Sequence, residues 1–132
     1  MIYLRFSVFP IVLLLTACVT TELQKMQEQG AVTLSQEAIA ARFTGNSLQG
    51  TDGSWTVYYR EDGAKLAQVQ GKRTERKWWV DDKGNWCETR VRDGRELCAL
   101  NFIEQDGVYH AFNPDGSLNV KATLAQGNPA NL

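Results

Sequence analysis

The sequence is short of the groups that most often carry chemistry. Its 132 residues include a single histidine, His110, set between Tyr109 and Ala111. A catalytic triad, a metal centre or a proton shuttle built on it would need partners, and none stand near it in the chain. Glycine-rich phosphate loops and zinc spacings are missing too. The recurrent Asp-Gly pairs are not a calcium loop, which needs three or more spaced oxygen ligands. The acidic pairs Glu61-Asp62 and Asp81-Asp82 fall at turns, so they do not form the facing carboxylates of glycoside chemistry. No metal and no cofactor is implied, and a non-enzymatic protein is expected.

Charge of one sign is also lacking. The formal net charge is -1, and -2 without Arg5. Nucleic acid as the main partner would require a basic excess to displace counterions. The one long apolar run, Phe6 to Leu15, is too short to stay in a bilayer as a spanning helix. With Arg5 before it, that run reads as a signal peptide over residues 1–17. It ends in Leu15-Thr16-Ala17-Cys18, the pattern of a bacterial lipobox. The Cys18 thiol is the nucleophile that takes the diacylglyceryl group, and two or three acyl chains anchor firmly. The expected location is the bacterial cell envelope, lipid-anchored through Cys18. Val19 next to it, in place of aspartate, favours the outer membrane facing the periplasm. Residues 18–33 then read as the lipidated cysteine and a polar tether, helical in part over Glu22 to Gln29.

Residues 34–132 read as a single domain. Ser35 caps a short helix, Leu34 packs on Ile39 as a staple, and Ile39 and Phe43 dock it. Beyond residue 46 the pattern becomes β. Turn pairs recur at Asp52-Gly53, Asp62-Gly63, Lys83-Gly84, Asp93-Gly94, Asp106-Gly107 and Asp115-Gly116. The runs between them predict about seven strands, near residues 55–60, 64–70, 76–80, 86–92, 95–103, 108–112 and 117–124. The fold class is mainly β: an antiparallel meander or small barrel with one short N-terminal helix.

Cys87 and Cys98 flank the Asp93-Gly94 turn, and an exported domain favours their pairing as a disulfide. A two-residue turn makes them diagonal neighbours. A four-residue loop over 91–94 sets them directly opposite, about 4.5 Å apart at a non-hydrogen-bonded pair. Either register puts the sulfurs on one face with Leu100 and Phe102, which predicts an inward staple. It leaves Trp86, Arg90 and Arg92 on the outer side. A first basic cluster, Lys72, Arg73, Arg76 and Lys77, precedes Trp78; in a meander the strands at 76–80 and 86–92 are neighbours, so it could adjoin a second cluster, Arg90, Arg92 and Arg95. Together they are a candidate surface for an anionic lipid, glycan or protein group of the envelope. The competing reading is a solvated face balanced by Glu75, Glu88 and Glu96.

Gly45-Asn46-Ser47 after the helix, Tyr58-Tyr59 before Asp62-Gly63, Trp86-Cys87, Cys98, Tyr109 and a closing Gly127-Asn128-Pro129 resemble small exported proteobacterial proteins of an uncharacterised domain family. The resemblance spans residues 34–132, implies the fold, and supplies no catalytic residue. In size, tethering and cysteine pairing the chain is also similar to membrane-bound lysozyme inhibitors, without their Ser-Gly-Ala-Lys/Arg-Tyr loop. The functional expectation is a structural or binding lipoprotein of the envelope. The alternative is an inhibitor or binder of a secreted enzyme such as lysozyme.

Overall fold

Glycines in the left-handed region set where the strands end. Gly53, Gly63, Gly71, Gly84, Gly94, Gly107 and Gly116 all have φ between 71° and 94°, a conformation that costs other residues energy. The computed structural model describes residues 19–132; the signal peptide and the Cys18 anchor lie outside the described residues. In chain order the elements are α1 (Glu22–Glu28), α2 (Gln36–Phe43), β1 (Ser47–Gly50), β2 (Trp55–Tyr59), β3 (Ala64–Val69) and β4 (Lys72–Val80). They continue with β5 (Trp86–Thr89), β6 (Glu96–Cys98), β7 (Asn101–Gln105), β8 (Val108–Phe112) and β9 (Leu118–Ala125).

The described residues therefore form nine strands, not seven. β1 reads Ser-Leu-Gln-Gly and has neither the aromatic nor the β-branched residues that mark a strand in sequence. The run expected at 95–103 is two strands, because Ala99 at φ 55° breaks it. The helix at Ser35 forms as expected: its hydroxyl accepts the Ala38 N–H at 3.1 Å, and Ile39 and Phe43 are fully buried. A second helix, α1, lies within the polar segment before it.

All nine strands join one antiparallel sheet in the order β6-β5-β4-β3-β2-β1-β9-β8-β7. The two edge strands, β6 and β7, are separated in the chain only by Ala99 and Leu100. A two-residue link spans little distance, so the sheet curls into a half-barrel until its edges nearly meet. Gln36 bridges this seam. Its amide donates to the Leu100 carbonyl and its carbonyl accepts the Trp86 N–H at 3.0 Å.

The concave side holds α2. The Phe43 ring stacks on Tyr59 and meets Trp86, Phe102 and Tyr109 edge-on, with centroids 5.1 to 5.8 Å apart. Trp86 in turn stacks on Trp78 at 4.7 Å. Aromatic pairs in these geometries add to the energy of burial, and they fill the half-barrel so that no cup is left. Trp55, Val57 and Tyr59 share the inner face, as period-two alternation requires. Trp55 lies over Gly50, where a Cβ would come within 2.4 Å of its indole nitrogen, so position 50 has room only for glycine.

The Gly45-Asn46-Ser47 motif proves to be a latch. The Asn46 side chain donates to the Arg42 carbonyl and accepts the Gly127 N–H, while the Ser47 hydroxyl donates to the Gly127 carbonyl. One tripeptide thus ties the end of α2 and the start of β1 to the C-terminal Gly127. The N-terminal segment is fastened on the opposite side of the sheet. The Leu23 N–H donates to the Gly116 carbonyl, Thr33 bridges to Ile103, and the Leu34 N–H donates to the Phe102 carbonyl. Ile103 and Phe112 point away from the aromatic core and are nonetheless almost fully buried on that side.

Candidate functional site

β4 is nine residues long, yet it pairs with β5 only through Trp78, Trp79 and Val80. Its other side pairs with β3 from Lys72 to Lys77. The ladder to β5 is ended by a side chain. Thr89 accepts the Lys77 N–H at 2.9 Å through its hydroxyl, which also donates back to the Lys77 carbonyl. Beyond this point β4 and the β5–β6 hairpin part company, and a groove of about 260 Å³ opens between them. Glu75, Arg76, Lys77, Thr89, Gly94 and Glu96 line it.

Arg76 spans the opening. Its Nη2 donates to the Val91 carbonyl at 2.9 Å, and its Nη1 lies close under Gly94, where a Cβ would sit 3.3 Å away. Its Nε is buried without a hydrogen-bond partner. Among the described residues neither Arg76 nor Lys77 has an ion-pair partner.

Behind the groove is a small polar cluster inside the half-barrel. Register places Lys65 opposite Tyr59, so alternation turns both inward. Lys65 is 5% exposed and Glu88 8%. The Lys65 amine donates to the Thr89 carbonyl at 3.0 Å, lies 3.5 Å from Glu88 Oε2, and sits over the Tyr59 ring. The Tyr59 hydroxyl donates to Glu88 Oε2 at 2.8 Å. Burial first, then the Glu88 charge and its hydrogen bond, raise the Tyr59 phenol well above its usual range. A buried carboxylate is tolerated when a cation and a donor both face it. The cluster thereby holds β5 to β3 across the place where β4 and β5 separate.

The basic residues singled out in the sequence are placed differently from one another. Lys72 and Arg73 stand at the start of β4, past the Gln70-Gly71 turn. Arg73 and Lys77 fall on the convex face, whereas Arg76 turns in to the hairpin loop. Arg90 is held by Asp93 through paired hydrogen bonds, one of them 2.9 Å long. The Arg90 guanidinium, helped by the Arg95 N–H, keeps the Asp93 carboxyl well below the usual carboxylate range. Arg92 is exposed at the tip.

Cys87 and Cys98 form the disulfide. They are directly opposite, with Cα atoms 4.1 Å apart, so the four-residue loop over 91–94 is the register adopted. The staple does not face inward. Trp86, Glu88 and Leu97 take the concave side, which turns Cys87 and Cys98 to the convex side beside Trp79. Leu100 and Phe102 reach the core only because the left-handed Ala99 resets the alternation. Trp86, expected outside with Arg90 and Arg92, is fully buried for the same reason of parity. Among the described residues, Asp81 with Cys87 and Cys98 is the grouping with metal-ligating atoms close together. With both sulfurs in a disulfide it has no thiolate to offer a metal. His110 lies on the convex face between Ile103 and Lys121, half-buried, with its Nδ1 unpartnered.

The feature that sequence reasoning missed is the free length of β4. The strand expected at 76–80 begins four residues earlier, at Lys72 past the Gln70-Gly71 turn, and the run expected at 86–92 stops at Thr89, so the mismatch in length shows only in the folded chain. No family model, no curated protein and no solved structure matches the chain.

Proposed function

We propose that this protein is a lipid-anchored domain of the bacterial cell envelope that binds rather than catalyses. The anchoring half of this reading rests on the lipobox Leu15-Thr16-Ala17-Cys18. The observation that carries the binding half is the groove between β4 and the β5–β6 hairpin, where Arg76 and Lys77 have no ion-pair partner among the described residues. Cations held in a cleft beside low-dielectric protein attract anionic groups more strongly than scattered surface charges do. The ionisable residues behind the groove satisfy one another, so Lys65, Glu88 and Tyr59 act as structure and offer no free acid, base or nucleophile.

Two measurements test the reading. Mass spectrometry of the protein from membranes should find diacylglyceryl on Cys18, and Cys18→Ser should leave the membrane fraction; an unmodified wild-type Cys18 overturns the anchor. Pull-down with peptidoglycan, lipopolysaccharide and lysozyme should retain the protein on one of the first two, and Arg76→Ala with Lys77→Ala should weaken that retention at least fivefold.

A second reading, a binder of a secreted enzyme such as lysozyme, is favoured by the loop from Val91 to Gly94. Arg90–Asp93, the Gly94 N–H to the Arg90 carbonyl, Arg76 to Val91 and the adjacent disulfide all hold this loop rigid. Arg92 projects from its tip. Preorganised loops of this kind bind enzymes at low entropic cost. Retention on lysozyme that Arg92→Ala abolishes would select it.

A further inference from the structure

The open side of β4 is a strand edge inside the sheet order, because its neighbour β5 stops short of it. In an antiparallel strand each residue directs both backbone groups to one side, alternating along the chain. The Trp78 N–H donates to the Gly63 carbonyl on the β3 side. The Lys77 N–H and carbonyl face Thr89 on the β5 side. By the same alternation Arg73 and Glu75 turn their N–H and carbonyl groups to the open side, along the rim of the groove. Unpaired edge groups are a template for another strand.

We infer that the open edge of β4 takes up an extended acidic polypeptide segment, which pairs with the backbone of Arg73 and Glu75 and sets its carboxylates against the basic side chains of β4. Strand addition supplies main-chain hydrogen bonds for affinity and alternate side chains for specificity. The charge of the partner follows from the edge itself. Lys72, Arg73, Arg76 and Lys77 flank it, against the carboxylates of Glu75 and Glu96. Four cations against two carboxylates select acidic residues and repel a basic strand. The open edge sets the length, running from Lys72 to the Thr89 contact at Lys77. That admits about five or six extended residues at roughly 3.3 Å each. The inference rests on the binding reading above, and the two fail separately. Retention of an envelope component without protection at β4 would keep a binding domain and reject this site.

The test uses the full chain in detergent with two fluorescent octapeptides, one alternating Glu and Thr and the other alternating Lys and Thr. Anisotropy should show the glutamate peptide binding at least tenfold tighter than the lysine peptide, with affinity falling as salt rises. Amide exchange of Arg73 and Glu75 should slow when it binds. Glu75→Pro removes a donor that faces away from β3, so the β3–β4 ladder stays intact and binding should drop at least tenfold. Arg73→Glu with Lys77→Glu leaves the backbone untouched and should reverse the preference between the peptides, which decides the matter if the proline variant does not fold. Equal binding of the two peptides to the parent chain would overturn the inference, as would unchanged preference in the charge-reversed variant. So would phosphatidylglycerol bicelles that shift the Arg73 and Glu75 amides where neither peptide does.

Discussion

The sheet has two kinds of boundary, and the chain treats them in opposite ways. At β7 the chain folds back over its own edge: Thr33 bridges to Ile103, Leu34 bonds to the Phe102 carbonyl, and Gln36 closes the seam to β5. At β4 no segment among the described residues is laid over the open side. The hairpin beside it is pinned by Arg76 and by the Lys65–Glu88 pair, and the disulfide ties its own two strands together. A covered edge is finished structure. An edge beside a separately pinned hairpin, and guarded by lysine and arginine, is protected from aggregation yet still accessible. The contrast makes predictions about each boundary.

The largest effect is expected from Lys65→Ala. It leaves the Glu88 carboxylate buried with only the Tyr59 hydroxyl for company and frees the Thr89 carbonyl. Removing one member of a buried pair costs about 3–5 kcal/mol. Urea unfolding should show that loss, while Lys77→Ala, exposed on the same sheet, should change stability by less than about 0.5 kcal/mol. The disulfide comes next. Its cysteines are 11 residues apart, so its loss should cost about 3 kcal/mol or less. Cys87→Ser with Cys98→Ser should lower the urea midpoint accordingly, and hydrogen exchange should quicken in β6 well before β7. Thiol counting on the unreduced protein should find neither Cys87 nor Cys98 free; two reactive thiols there would remove the staple from the comparison.

The phenol of Tyr59 gives the pH dependence. Its folded value lies well above the ordinary value of 10, so the unfolded chain loses the proton first as pH rises. Its contribution is fully present below pH 10 and is lost as pH climbs through the raised folded value. Stability measured from pH 9 to pH 11 should therefore fall. In Tyr59→Phe that part of the fall should vanish, and stability at neutral pH should drop by about 1–3 kcal/mol, because Glu88 loses its donor. At the covered boundary, Gly116 has φ 84° and Thr21 within 2.7 Å of any added Cβ. Gly116→Val should strain the turn by about 1–2 kcal/mol and free α1. Proteolysis would then cut between residues 19 and 30 without exposing the aromatic core.

What the sequence made legible, and what it hid, divides along the same line. Unlike the Gln70-Gly71 turn, the helix at Ser35, its docking residues Ile39 and Phe43, the Asp-Gly and Lys-Gly turns and the pairing of Cys87 with Cys98 could all be read. Each depends on local chemistry: a cap, a glycine at positive φ, two cysteines around one turn. The direction of the staple could not be read, since one left-handed alanine, Ala99, reverses parity between Cys98 and Leu100. Nor could the open edge beside the basic run. Lys72 to Lys77 reads first as a solvated face, with an anion surface as the rival, until the end of the β5 ladder at Thr89 is known. That end depends on a side chain standing in for backbone, which no periodicity encodes.

The smallest effect on stability should come from the edge charges, and it sharpens the comparison most. Arg73 and Lys77 lie on the convex face, free of ion pairs among the described residues. Arg73→Thr with Lys77→Thr suits a strand and buries nothing, so the monomer should keep its stability to within about 0.5 kcal/mol. Its association should change instead. With the charges gone, two β4 edges could pair as strands, and edge charge is what prevents this in natural sheets. Sedimentation should show a concentration-dependent dimer that the parent chain does not form, and Glu75→Pro added to the pair should return it to monomer. The equivalent removal of charge at the covered boundary, Glu104→Thr on β7, breaks its pair with Arg42 but exposes no open edge, since Thr33 and Leu34 already occupy it. That variant should stay monomeric at every concentration. If it dimerised as readily as the β4 variant, the two boundaries would be alike and the β4 edge would lose its claim to be the accessible one.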